Sequence, residues 1–488
     1  MFSGLSPDNK YAVYQHNLST MIRTITERLA FVPVGNGFEV TPRPKPLTFN
    51  ALMKPFQLKF QKYIRYSTPI TREKFVSYYV GRKRKLYEAA AASLLDEGLT
   101  QKDFIIDYFL KTEFYNLLKK SDPANRLISP HNSRANVELG TYIKVIEKTC
   151  YKIIETIFDS ITVFKCLNPL QAGQEFHNQW KFFTSPCAVG LDAKRFDQHV
   201  SKTALVWETN LYRRFFPGDK KLDWMLKQQY NQSGRAFFHD GHLTYKQEGG
   251  RASGVQNTGL GNCILMCAMV YNFFIWISTR LGREIKYKLA NNGDDCVVIM
   301  ESEDEWIIAR YLSHFFLKLG FRMEIEPTVY VFEEIEFCQA HPVWTVDGYV
   351  MTRNPHSAIS KDVISIKPFD GTNNARSWAK CVALGGLSLT GSLPVWQSFY
   401  QVLERYGKNA KEYKDDRNQI GGLFWMAKDM KRRAGPVHSK SRHSFFLAFG
   451  ITPDQQIAVE DYYDRFSLTM YNGGSYHKQL FSEPTVKS

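Results

Sequence analysis

The sequence predicts an α+β fold, with a central antiparallel sheet and helical surroundings. Three observations point there. Strand-like and helix-like segments alternate without the steady strand–helix–strand rhythm of a parallel sheet. Two arms, KYKLA and CVVIM, flank the turn NNGDD at 291–295, and Asn-Gly between such arms signals a tight hairpin because both residues tolerate positive φ. The longest apolar run, CILMCAMVYNFFIWIS at 263–278, is interrupted by Asn272. It is short for a bilayer span of about 20 residues and reads as a buried core helix, so the sequence offers no membrane span of its own.

Taken along the chain, PRPKPL (42–47) is a stiff extended connector. GRKRKLYEAAAASLL (81–95) is a helix with a basic first turn, and residues 136–166 carry helical periodicity, with apolar positions three and four apart. SPCAVGLDAKRFD (185–197) begins as a strand and ends in charge. The 201–230 region is helical with a break at PGDK, and 231–248 forms a hairpin turning at Asp240-Gly241. A long helix follows Gly261, an amphipathic one spans about 303–319 before Gly320, and the chain after 352 is mainly helical, with a basic loop at 431–443.

At 488 residues and 44% hydrophobic content, the chain can build roughly two to four domains. Its formal net charge of +15 favours a polyanionic partner, nucleic acid before an acidic membrane surface, although a basic solvated surface gives the same count. The excess is concentrated early: residues 1–130 hold 20 Lys+Arg against 11 Asp+Glu. The eight cysteines show no paired zinc spacing and read as reduced, mostly core thiols of a cytosolic protein.

Asp294 and Asp295 stand together at the hairpin turn. Like charges so placed repel unless a cation lies beside them, and a hard divalent ion such as magnesium takes oxygen ligands. An ordinary acidic turn would look the same. Asp192, at the end of the other apolar strand, supplies the second acidic site, with Asp197 five residues on. Neighbouring strand ends would let Asp192 share metal with Asp294, the arrangement in which two ions activate a hydroxyl and stabilise a departing phosphate. GGRASGVQNTGLGNCILM (249–266) has neither the Walker nor the dinucleotide glycine pattern. Its small residues admit a sugar or phosphate close to the backbone, and Ser253, Thr258 and Asn262 bring short hydrogen-bonding side chains.

In order, LDAKRFD from residue 191, SGVQNTGLGN from 253 and NNGDD from 291 resemble motifs A, B and C of viral RNA-dependent RNA polymerases. They are most similar to those of the tombusvirus-like group, with its carmo-, luteo- and umbravirus relatives. KTEFYNLLKKSDPANRLISPHNSRANVELGTYIKVIE (111–147) resembles the group's motif F and following helix, and EEIEFCQAHPVW (333–344) its motif E. VYQHNLSTMIRTITERLAFV is similar to the segment before its polymerase core.

The resemblance implies a right hand: an N-terminal segment linking fingers and thumb (1–48), fingers (49–184 with an insertion at 213–248), palm (185–212 and 249–352) and thumb (353–488). It implies Asp192 and Asp294 as principal metal ligands with Asp295 auxiliary, Mg2+ as two ions with Mn2+ able to substitute, and the Ala193 carbonyl as a further donor. Asp197 and Asn262 would sense the ribose 2′-hydroxyl, supported by Ser253 and Thr258. Lys111, Lys120 and Arg126 would lie above the incoming triphosphate. Arg134, Cys338 and Gln339 are the further RNA-contact expectations. The implied partners are template and nascent RNA, ribonucleoside triphosphates and a viral membrane-bound replication protein, at membrane-associated replication complexes in the host cytoplasm. Initiation without a primer is implied too.

Three positions depart from the group's pattern: Val255 where Asp is common, Asn125 where a second proline is common, and Ala135 where tyrosine is common. The group's polymerases usually extend a membrane-bound replication protein, whereas this chain opens with Met near the polymerase region. A separately initiated product, an unusual relative and a shortened form all fit that start. A reverse transcriptase shares the palm logic but places a bulky side chain where a 2′-hydroxyl would clash. A non-catalytic RNA-binding scaffold explains the charge but not three metal-suited aspartates in this order.

Overall fold

The computed structural model describes residues 11–35, 37–118, 122–365, 371–411, 423, 426–427, 429–430 and 432–468. Ahead of the first long strand come the helices α1 (Pro46–Gln61), α2 (Gly81–Asp96) and α3 (Ser133–Phe158). The strand β1 (Pro186–Ala193) leads to α4 (Lys202–Phe215) and to the hairpin β2 (Asn231–Phe238)–β3 (Gly241–Glu248). Then follow α5 (Thr258–Leu281), β4 (Tyr287–Asn292), β5 (Asp295–Glu301) and β6 (Met323–Ile325).

The central sheet has the order β4-β5-β1-β6 and is antiparallel throughout. Both of its faces are covered, which is why β1 and β5 read as continuous apolar runs rather than as alternating ones. Cys187, Val189 and Leu191 enter the largest core, with α5 and the apolar face of α3. Ala188, on the opposite face by the period of two, joins Val297, Ile299, Phe164 and Phe176 in a smaller core.

Helix α5 is the central post of the main core, and its apolar span is buried rather than presented to the surface. Asn272 has a specific task there. Its Oδ1 accepts the backbone N–H of Phe56 at 3.0 Å, in the helix that Pro55 interrupts. A buried amide is tolerated when it is hydrogen-bonded in this way. The helix begins at Thr258, one turn before the start expected from Gly261. Gly261 N donates to Asn257 O at 2.8 Å, so Gly259 and Gly261 both lie inside the first turn.

The β2–β3 hairpin forms in full register, from Gly241↔Phe238 to Glu248↔Asn231, so its turn is His239-Asp240, one residue earlier than expected. The predicted 303–319 helix forms as a continuous helical run over 306–318, widened to π geometry at Ile308–Leu312 and regular again at Ser313–Lys318. It stops where expected, at Gly320 with φ +86°. The 42–45 connector passes over that glycine, where an added Cβ would lie 2.7 Å from Pro44 Cδ.

After residue 352 the described chain is mainly helical around its own core of Trp378, Trp396, Phe399, Tyr400, Leu403 and Phe445. A buried triad locks it: Arg353 Nη1 donates to Asp362 Oδ1 at 3.0 Å, and Tyr400 OH donates to Asp362 Oδ2 at 2.6 Å. The basic stretch expected as a loop at 431–443 is an exposed loop over most of its described residues up to His438. Lys431 is outside the described residues, Arg432 alone turns inward to pair with Asp347 at 2.8 Å, and the helix Ser439–Phe449 takes up the last five positions. All eight cysteines are unbridged, six buried and two, Cys166 and Cys338, exposed.

Candidate active site

The acidic residues come together by strand register. Asp192 and Asp295 are directly paired across β1 and β5, and Glu324 of β6 pairs with Asp192 on its other side. Paired residues in an antiparallel ladder share a face. Asp192 and Asp295 therefore form the open end of the row that continues inward as Gly190–Val297 and Ala188–Ile299. All three candidate aspartates, Asp192, Asp294 and Asp295, are exposed.

The turn between β4 and β5 is Gly293-Asp294, closed by the pair Asn292↔Asp295. Gly293 carries φ +92° and Asp294 is not left-handed. Glycine at the first central position is the pattern of a type II′ turn, so the tight hairpin forms one residue later than the Asn-Gly reading expects. The two asparagines brace it. Buried Asn291 donates Nδ2 to Gly293 O at 2.8 Å and accepts Gly293 N at 3.1 Å, while Asn292 Nδ2 donates to Cys338 Sγ at 3.2 Å.

Electrostatics report the crowding. The Asp295 carboxyl is pushed above its ordinary range, first by partial burial and then by Asp294 and, more weakly, Asp192. Glu326 is raised by burial, then by Glu336 and Asp192; it escaped the sequence reading because no motif flanks it. The donor set is all oxygen and concentrates like charge, which fits hard divalent cations. Among the described residues no three His, Cys, Asp or Glu side chains are already gathered into a cage. The fit thus rests on donor chemistry and on strand pairing.

Beside the hairpin, Asn262 Nδ2 donates to Asp197 Oδ1 at 2.9 Å. The two residues that the resemblance pairs are therefore in contact. An added Cβ at Gly293 would sit 3.8 Å from Asn262 Cβ, which places this pair against the aspartate turn. Burial raises Asp197, opposed by the Asn262 hydrogen bond and the Arg251 charge, and Asp294 pushes it further up. Thr258 Oγ1 donates to Ala252 O at 2.6 Å and closes the loop that enters α5. Ser253 Oγ accepts Ser129 N at 3.1 Å, so Ser253 ties this loop to the end of the short strand Leu127–Ile128 rather than touching the Asp197–Asn262 pair.

Sequence reasoning missed what stands behind the pair. Arg251 Nε donates to Asn262 Oδ1 at 3.1 Å, and Arg251 Nη1 donates to Glu208 Oε1 at 3.1 Å. Glu208 also accepts Tyr212 OH at 2.7 Å and Asn257 Nδ2 at 3.2 Å. A signal was present: Glu208 lies on the same stripe of α4 as Leu205, Leu211 and Tyr212, and a charge on an apolar face requires a partner.

The basic expectations divide. Lys111 Nζ pairs with Glu113 at 2.9 Å and Arg126 Nη1 lies 3.7 Å from the same carboxylate. Arg126 also acts on the charge of Asp197, so it shares the aspartates' neighbourhood. Lys120 lies outside the described residues. Arg134 is spent inward: Nε donates to Asp103 Oδ1 at 2.9 Å, Nη1 to Ser93 Oγ at 2.9 Å, and Nη2 to the Glu97 and Gly98 carbonyls. Its placement is an anchor between the end of α2 and the start of α3, not a surface cation.

Cys338 and Gln339 form a two-residue turn, with φ +53° and +61°, between the bonded pair Phe337 and Ala340. Two consecutive left-handed non-glycine residues carry backbone strain. The turn abuts the hairpin through Asn292, and partial burial against that hairpin, with the Asp295 and Asp294 charges, pushes the Cys338 thiol up to about 12. Gln339 lines a 470 Å³ cavity with Tyr11, Phe114, Tyr115 and Lys361.

A strand-paired acidic site beside a polar pair, at one end of an antiparallel sheet, is the setting in which comparison with known proteins becomes informative. A family model described as "Viral RNA dependent RNA polymerase" matches residues 1–471, and the chain belongs to that family. Among individual proteins it is similar to the RNA-directed RNA polymerase of Tobacco necrosis virus (strain A), 41% identical over 469 residues, covering 96% of this chain and 64% of that protein. The same-named protein of Melon necrotic spot virus is 39% identical, covering 95% and 58%. That of Maize chlorotic mottle virus is 37% identical, covering 96% and 48%. The chain thus spans between 48% and 64% of the length of these relatives.

Proposed function

We propose that the protein catalyses template-directed RNA synthesis, replicating a positive-strand viral RNA genome. The 3′-hydroxyl of the growing strand attacks the α-phosphate of a ribonucleoside triphosphate and pyrophosphate leaves. The observation that carries this reading is the register pair Asp192–Asp295, with the Asp197–Asn262 hydrogen bond beside it. Membership of the polymerase family supports it.

Asp192, Asp294 and Asp295 would hold two magnesium ions, or manganese in their place, which when bound supply acidity to the attacking hydroxyl and neutralise the triphosphate. Asp197 and Asn262 receive the ribose: the carboxylate accepts from the 2′-hydroxyl, and a deoxy substrate leaves that acceptor unpaired. Arg126 and Lys111 face the triphosphate from above, joined by Lys120. Template and nascent strand are held mainly through phosphates by the early basic excess, including the exposed first turn of α2, so binding weakens with salt.

In this reading the central sheet and α5 are the palm (185–212 and 249–352), residues 49–184 and 213–248 are fingers, 353–488 is the thumb, and 1–48 links the two. Initiation proceeds without a primer. The enzyme works with a viral membrane-bound replication protein at membrane-associated complexes in the host cytoplasm. The test is synthesis on a defined RNA template without primer, with and without magnesium. Full-length product only with the metal is the expected result, and no labelled nucleotide incorporated under any metal condition, primer present or absent, would end the reading.

A further inference from the structure

The Asp197–Asn262 pair has a floor beneath it that has no place in the chemistry so far described. Asn262 is held at both ends of its amide, Nδ2 on Asp197 at 2.9 Å and Oδ1 under Arg251 Nε at 3.1 Å. Arg251 is 4% exposed and Glu208 fully buried. The guanidinium fork closes on both Glu208 oxygens. Arg251 also donates its backbone N–H to Asp197 O at 2.7 Å, so one residue fixes both members of the pair. Space is reserved for the arrangement: a Cβ at Gly261 would strike Glu208 Oε1 and come within 2.7 Å of Arg251 Nη2.

A buried ion pair of this kind is a poor way to gain stability, since desolvation offsets most of the attraction. What it supplies is orientation. An amide gripped at one end swings about its side-chain torsions; gripped at both, it keeps a single pose. Resting on the reading of Asp197 and Asn262 as the ribose sensor, we propose that Arg251, held by Glu208, is a positioning residue for sugar selection. It sets Asn262, and through it the Asp197 oxygen left to meet the 2′-hydroxyl. Arg251 itself touches no substrate.

The test compares competitive incorporation of ribo- and 2′-deoxyribonucleoside triphosphates by the full chain. Arg251→Lys keeps a cation against Glu208 but loses Nε–H and the fork. The double variant Arg251→Met/Glu208→Gln removes both charges together and keeps an acceptor for Tyr212 and Asn257, so no buried charge is left alone. Both should lower the ribo preference about tenfold while kcat for ribonucleotides stays within a few-fold, and adding Arg251→Lys to Asn262→Ala should change the ratio no further. Should Arg251→Lys fail to fold, the double variant decides. If Asn262→Ala lowers the ratio but a folded Arg251 variant leaves it at the wild-type value, the positioning role is overturned and the sensor stands. If Asn262→Ala itself leaves the ratio unchanged, the sensor reading falls and this proposal with it.

Discussion

Asp192 and Asp295 are register partners on neighbouring antiparallel strands, although 102 positions separate them in the chain (192 to 295, less one). Nothing local brings them together. The apolar strands do, by having only one alignment that buries Ala188, Val297 and Ile299 on one face and Leu191 and Val298 on the other. A slip of one residue would reverse every side chain, so core packing fixes the acidic site.

Asp294 sits at the hairpin tip, exposed and outside the ladder. Asp294→Ala should cost about a thousandfold or more in RNA synthesis, as expected when a major electrostatic contributor is removed. RNA binding by filter retention should change less than a few-fold. A variant extending RNA near the wild-type rate would remove Asp294 from the chemistry.

Asn262→Ala deletes the donor to Asp197. Its ribo-over-deoxyribo preference should fall about tenfold or more, measured with both nucleotide sets in one reaction. Ribonucleotide turnover should suffer less than sugar choice.

Asp295 carries a pH signature. Its folded carboxyl lies above the ordinary range, through burial and its acidic neighbours. The unfolded chain therefore ionises it more readily than the folded one. The resulting destabilisation is absent below the unfolded value near pH 4, grows as pH rises through the raised folded value, and is complete above it. Asp295→Asn should melt higher than the parent in EDTA at pH 7.5, and the difference should shrink toward pH 4. Magnesium should raise the parent's melting temperature more than the variant's. Equal shifts in both proteins would contradict the linkage.

Gly261→Ala drives a methyl into the Arg251–Glu208 pair. A loss of about 1–3 kcal/mol is expected from urea unfolding, as for overpacked cores. Gly98 faces open space, so Gly98→Ala is the matched control and should change little.

The hairpins, β1 and the buried α5 were legible because periodicity and turn chemistry are local. The start of α5 was not, since Gly259 and Gly261 look like loop residues until Lys165 is seen to need the space at the first, and Glu208 and Arg251 the space at the second. Arg134 and Arg432 show the limit of reading charge: a basic residue in a run gives no sign of whether it faces solvent or ties two elements together. The Arg251–Glu208 pair spans 43 positions, and only the lone charge on the apolar stripe of α4 hinted at it. One departure from the group's pattern has a plain physical reading: Val255 is 7% exposed within the main core, where aspartate would need a partner.

Helix α5 is long and greasy enough that any machinery sorting nascent chains by hydrophobicity would weigh it as a candidate for lipid. Asn272 tilts that weighing. Its amide is paired in the core, accepting the Phe56 N–H and donating to the Met53 sulfur, and hydrocarbon offers neither partner. One side chain thus favours the packed core, where its amide is paired, over a purely apolar surround, where it would be left unpaired.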